Sequence, residues 1–105
     1  MAMAEGQLKI IDGTALSAQQ KKDLLNRLAR IEGQLRGVQK LIALAAQPSD
    51  VDAVAQQMAA ARKALDRSFV QLLTGAIQTQ SANASDVDEA RASAAHLAAM
   101  LDRFA

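Results

Sequence analysis

The stretch Leu24–Ile42, LLNRLARIEGQLRGVQKLI, limits the fold more than any other part of the chain. Leu24, Leu28, Ile31, Leu35, Val38 and Ile42 recur at alternating steps of four and three. That spacing lines one side of a helix and requires a partner helix to cover it. Arg27, Arg30 and Gln34 share an arc beside this seam, whereas Lys22, Arg36 and Lys40 lie on the outward side. A core face and a basic surface are therefore built into one rod.

The helix has clear ends. Ser17 precedes Gln20 by three, the spacing of a capping box, and predicts a first helix over 18–46, about 44 Å long. Pro48 cannot continue the hydrogen-bond ladder, and Ser49 with Asp52 offers a second capping box. The second helix is predicted over 50–80, with a stripe of Val54, Met58, Ala61, Leu65, Phe69, Leu72 and Ala76. Ala55, Ala59, Val70, Leu73 and Ile77 widen that stripe, so it can pack against more than one helix. Gly75 marks a kink or an early fray. Ser85 with Asp88 then starts a third helix, whose stripe is Val87, Ala90, Ala94, Leu97, Leu101 and Phe104. No stretch has the alternation of a strand.

The expected fold class is all-α: a three-helix protomer of two long helices in an antiparallel hairpin plus a shorter third helix. With two phenylalanines and no Trp or Tyr, the 105 residues have little bulk for a deep interior. The apolar Ala, Leu, Ile and Val suit thin helix-to-helix seams, so stability is expected to come from a second copy, two hairpins closing a four-helix bundle. Residues 1–16, without periodicity and with Gly6 and Gly13, are expected to form a flexible N-terminal arm, and 17–105 one helical domain. Gly33 and Gly37 cost the first helix about 1 kcal/mol each relative to Ala. They are either tolerated background or places where a neighbouring backbone or DNA comes close.

Composition narrows the chemistry. The formal net charge is only +1, but residues 21–40 hold six basic groups against Asp23 and Glu32, and residues 68–105 are acidic on balance. Oligomerisation would multiply the basic patch, and phosphate neutralisation drives nucleic-acid affinity. There is no cysteine, which removes disulfide, thiolate–metal and thiol-redox chemistry by the chain's own side chains. No apolar run approaches the roughly 20 residues of a membrane span, and no hydrophobic signal core leads the chain, so the expected location is cytoplasmic.

Catalysis has thin support. His96 is the single histidine, and neither Arg91 nor Asp102 nearby completes a nucleophile–base–orienter set. It reads as a boundary residue or an interface or allosteric contact. Asp50 and Asp52 read as helix-start capping, and Met58 as core. Lys63 and Arg67, an i,i+4 pair on the second helix, would join the first helix's basic groups in an antiparallel hairpin. Spacing and composition leave a helical protein-interaction module and a DNA binder both open, and no cofactor is expected.

The run NRLARIEGQLRGVQKLI at Asn26–Ile42, followed by QMAAARKALDR at Gln57–Arg67 and more loosely LAAMLDRF at Leu97–Phe104, resembles the copper-sensitive operon repressor family. This family comprises small helical bacterial repressors that sense copper, nickel or cobalt, formaldehyde or persulfide. The RIEGQxRG core at Arg30–Gly37 is its specific mark. The resemblance implies a dimer with an antiparallel four-helix core, a homotetramer made of two dimers, and operator DNA bound on a broad basic face without a winged or helix-turn-helix reader. It implies Arg30, Gln34 and Arg36 as DNA-facing residues, with Lys63 and Arg67 as additions; for Arg30 and Gln34 a structural network at the dimer interface is the competing role.

The departures from the family are equally specific. The sensor cysteine at the start of the second helix is Val51, the histidine one long helix later is Ala76, and the copper sensors' second cysteine is Gln80. Asp50 replaces the tyrosine associated with the copper site, and His96 takes the place of the third-helix glutamate, leaving both as candidate allosteric positions. The expected protein is a repressor-like DNA binder without the usual metal or thiol sensing site. The alternative is an oligomeric interaction module that has lost DNA binding as well.

Overall fold

The computed structural model describes residues 8–104, so the first seven residues of the expected arm lie outside the described residues. Three helices follow in order, α1 (Ala18–Leu44), α2 (Asp50–Ala82) and α3 (Val87–Phe104), with no strand among the described residues. The first two pack as a hairpin and α3 packs on α2. The product is a plate of 60 × 32 × 16 Å. Its thinnest dimension is little more than one helix diameter of about 10–12 Å.

The hairpin is held by two matched heptad series. Leu24, Ile31 and Val38 of α1 are buried, and so are Ala61, Ser68 and Gly75 of α2, each series stepping by seven. Large side chains on one helix meet small ones on the other, which lets the rods approach closely. Ser68 satisfies its hydroxyl by donating to the Ala64 carbonyl at 3.0 Å. Under α3, Leu73, Ala76 and Leu97 form a small core, to which Leu16, Phe69, Ile77 and Met100 add.

Other apolar residues of α1 and α2 have little cover within the protomer. Leu28, Leu35 and Ile42 of α1 are 41%, 48% and 55% exposed, and Val51, Met58, Leu65 and Leu72 of α2 are likewise exposed at steps of seven. Met58 is therefore a surface residue of the protomer and not part of its core. Leu28, Leu65, Phe69, Leu72 and Phe104 line one open groove of about 450 Å³, so both strips lie on the same broad face of the plate.

The helix ends show where local chemistry chose differently from the simplest sequence reading. At α1 the capping box forms: Gln20 N–H donates to Ser17 Oγ (3.1 Å), and Ser17 N–H donates to Gln20 Oε1 (2.7 Å). At α2, Ser49 has helical dihedrals and makes no side-chain cap. Asp50 instead turns back, its Oδ2 accepting from the amides of Ala46 (2.9 Å) and Gln47 (3.0 Å). This closes the α1–α2 turn after α1 stops at Leu44, two residues before the predicted end. At α3, Asp86 rather than Ser85 is the cap, accepting from Glu89 N–H at 2.8 Å.

Gly75 does not mark an early fray, since α2 continues to Ala82. A Cβ there would stand 3.3 Å from Gln20 Nε2 and 3.5 Å from Leu16 Cδ2, so the bare backbone makes room for a clamp. Gln20 Nε2 donates to the Gly75 carbonyl (3.1 Å), and Thr79 Oγ1 donates to Gln20 Oε1 (2.6 Å). One side chain thus caps α1 and ties its start to the far end of α2. Gln20→Ala removes half the capping box and both cross-helix bonds. An unfolding free energy lower by about 2 kcal/mol is expected from urea melts at fixed protein concentration.

Candidate nucleic-acid interface

The face opposite the apolar strips is polar and basic. On α1, Arg27, Arg30 and Gln34 fall within one arc because they are three, four and seven residues apart. On α2, Lys63 and Arg67 are one turn apart, and Gln71 and Thr74 continue the same side. Tertiary geometry joins the two groups. Arg27 and Arg67 line one recess together with Asp23, Gln71 and Thr74, and Arg27, Arg30, Asn26 and Gln71 line the adjoining one.

The charges on this face are unengaged. Among the described residues Arg27, Arg30, Lys63 and Arg67 form no ion pair; the ion pair found there is Arg36–Glu32, at 3.9 Å. Asp23, one turn before Arg27, accepts instead from Gln19 Nε2 at 2.9 Å. Even with the Asp23 carboxylate beside them, these groups leave the face net positive.

Arg36 does not belong to this set. Six residues beyond Arg30, it is rotated by about 120°. It lies on the outer edge of α1, 67% exposed and paired with Glu32. The structure therefore brings Arg30 and Arg67 to one cleft and leaves Arg36 off it, while Gln34 lies one turn after Arg30 and Lys63 one turn before Arg67. It adds Arg27, which shared the sequence arc, and Gln71, whose place depends on the register between helices and had no signal in the sequence. Gly33 and Gly37 are exposed on α1, with no atom nearer than 3.9 Å to a Cβ at either, so nothing in the protomer itself requires a glycine there.

The positions that the family resemblance assigns to sensor ligands are widely separated within the protomer. Val51 and Ala76 are at opposite ends of α2, about 37 Å apart along the axis. Val51 is exposed, Ala76 is buried under α3, and Gln80 Oε1 accepts from Ser93 Oγ at 2.6 Å. Two of the three offer only carbon and the third is already hydrogen-bonded, so this set does not fit a metal ion. Among the described residues no group of three or more His, Cys, Asp or Glu could hold one. His96 is exposed on α3.

The family model described as metal-sensitive transcriptional repressor matches residues 20–103. The chain belongs to this family. The match covers nearly all of the three helices, including Arg30–Gly37 and positions 51, 76 and 80. No curated protein and no solved structure matches the chain. No helix among the described residues is long and apolar enough to cross a membrane.

Asp50, where the family resemblance places a tyrosine, has a structural task. The two backbone N–H groups of Ala46 and Gln47 hold its carboxyl below the usual 3.8. A depressed folded pKa means that this contribution is present above the unfolded value and is lost as pH falls through the folded one. Asp50→Asn is thus expected to lower the urea midpoint at neutral pH. The gap to the parent protein should close as the pH drops below about 3.8, the ordinary aspartate value from which Asp50 is shifted.

Proposed function

We propose that this protein is a DNA-binding transcriptional repressor whose basic faces are assembled by homo-oligomerisation, and that it does not use the family's metal or thiol chemistry as its input. The observation that carries this reading is the two-sidedness of the plate. Exposed heptad strips occupy one broad face, and unpaired Arg27, Arg30, Lys63 and Arg67 occupy the other. Pairing two copies through the apolar faces buries Leu28, Leu35, Met58 and Leu65 and turns both basic faces outward. A dimer, and a tetramer of two dimers, then offers operator DNA a surface longer than any one protomer provides. Guanidinium groups hold phosphates there, while Gln34 is of the type that reads base edges.

An interaction module without DNA binding would have no need for unpaired arginines on its free face, which favours the repressor. A salt-dependent gel shift on the DNA upstream of the protein's own gene tests this. A specific complex that weakens steeply with salt is expected; no complex at low salt would sink the reading. For the input, calorimetric titration with Cu(I) and Ni(II) should give no tight stoichiometric site, since Val51 and Ala76 have no donor atom and Gln80 is engaged.

A further inference from the structure

The two recesses on the basic face form one cleft between α1 and α2, with volumes of about 430 and 250 Å³ and a shared wall of Asp23, Arg27 and Gln71. Arg67 faces this wall from α2 and Arg30 closes the second lobe. At the shared wall is a polar group whose hydrogen bonding is incomplete. Gln71 Oε1 is buried and, among the described residues, it alone of the buried side-chain polar atoms has no hydrogen-bond partner. Leaving such an acceptor unmet is destabilising, and an incoming donor would recover that loss.

Two demands meet in this space. Three guanidiniums and one carboxylate, Asp23, line the cleft, and the two positive charges left over match a dianionic group. The orphaned Gln71 oxygen calls for an N–H donor; the terminal torsion of a glutamine rotates freely enough to turn it into the cleft. The volume is in the range of small-molecule sites. We propose that the cleft binds a small phosphate monoester carrying an amino group, the chemistry of an adenine mononucleotide. The phosphate is held by Arg27, Arg30 and Arg67, and the amino group donates to Gln71. Resting on the repressor reading, the consequence is regulatory: the bound ligand withdraws those arginines from DNA phosphates. It releases the operator by competition, at a place unrelated to Val51, Ala76 and Gln80.

The test uses the full chain and three probes: adenosine monophosphate, inosine monophosphate, in which a carbonyl replaces the amino group, and inorganic phosphate. Calorimetry without DNA is expected to show saturable binding of adenosine monophosphate, with inosine monophosphate about tenfold weaker and phosphate weaker still. Arg27→Ala/Arg67→Ala should abolish binding of all three; neither arginine makes an ion pair, so circular dichroism should confirm an intact fold. Gln71→Leu should bring the adenosine ligand down to the inosine level and leave phosphate unchanged. No saturation by adenosine monophosphate, equal affinity for the two nucleotides, or binding that survives the double arginine change would each overturn the site. In gel shifts, adenosine monophosphate should release DNA from the parent protein, and DNA binding that ignores a saturating ligand overturns the regulatory role. If the nucleotide binds as described but no DNA complex forms, the cleft stands and the repressor reading falls.

Discussion

Replacing Arg30 and Arg67 together by alanine is expected to weaken DNA binding at least about 100-fold near 0.1 M salt, while Arg36→Ala stays within about threefold. Family resemblance puts Arg30 and Arg36 in one group, and the fold separates them. Arg30 and Arg67 come from different helices to the same polar face without carboxylate partners, whereas Arg36 is about 120° around α1 and engaged by Glu32. In the proposed oligomer every copy would lose both groups at once, so the effect multiplies. The slope of log K against log salt should become shallower by about 0.9 for each phosphate that is no longer neutralised, which distinguishes missing charges from a misfolded protein. An Arg36→Ala defect as large as that of the double variant would mean that DNA lies along the outer edge of α1 instead.

That division of the arginines shows how far the sequence could be read. Periodicity was enough for the three helices and for the hairpin, because apolar spacing and Pro48 act locally. It could not separate the two halves of the α1 seam. Leu24, Ile31 and Val38 are covered by α2, while Leu28, Leu35 and Ile42 are not, although both halves use the same residue types at the same heptad interval. A seam states that it needs cover and not which helix supplies it. The matching surface of α2 was hidden for the opposite reason: Ser68 and Gly75 carry no apolar signal, yet they sit at the closest approach because they are small.

Capping choices were underdetermined in a similar way. Ser85 and Asp86 are adjacent and both competent caps, and Asp50 satisfies the turn behind it although the spacing assigns Ser49 to the helix ahead. As for the candidate site, the shared arc of Arg30 and Gln34 and the i,i+4 pair of Lys63 and Arg67 were legible from spacing, whereas a DNA-facing role came from the family resemblance. Gln71 was not, since only the register between the helices sets this glutamine in one recess with Arg27 and Arg67.

The largest expected effect of any single substitution belongs to the apolar face. Leu65→Glu should convert the assembled protein to monomers in sedimentation equilibrium and eliminate the DNA complex. Leu65 is 51% exposed in the protomer and lines the open groove with Leu28, Phe69 and Leu72, so its loss removes little packing inside one hairpin. In a two-fold pairing, however, each substitution occurs twice, and each places a carboxylate in an apolar seam at a cost of several kcal/mol. Leu65→Met, which conserves volume and polarity, should leave the assembly intact. DNA affinity is expected to follow the assembly rather than the charge change, because a lone plate presents only its own four cations to the phosphates. A Leu65→Glu protein that remained dimeric would place the pairing surface elsewhere, and the exposed heptads at Leu28, Leu35, Met58 and Leu65 would then need another occupant.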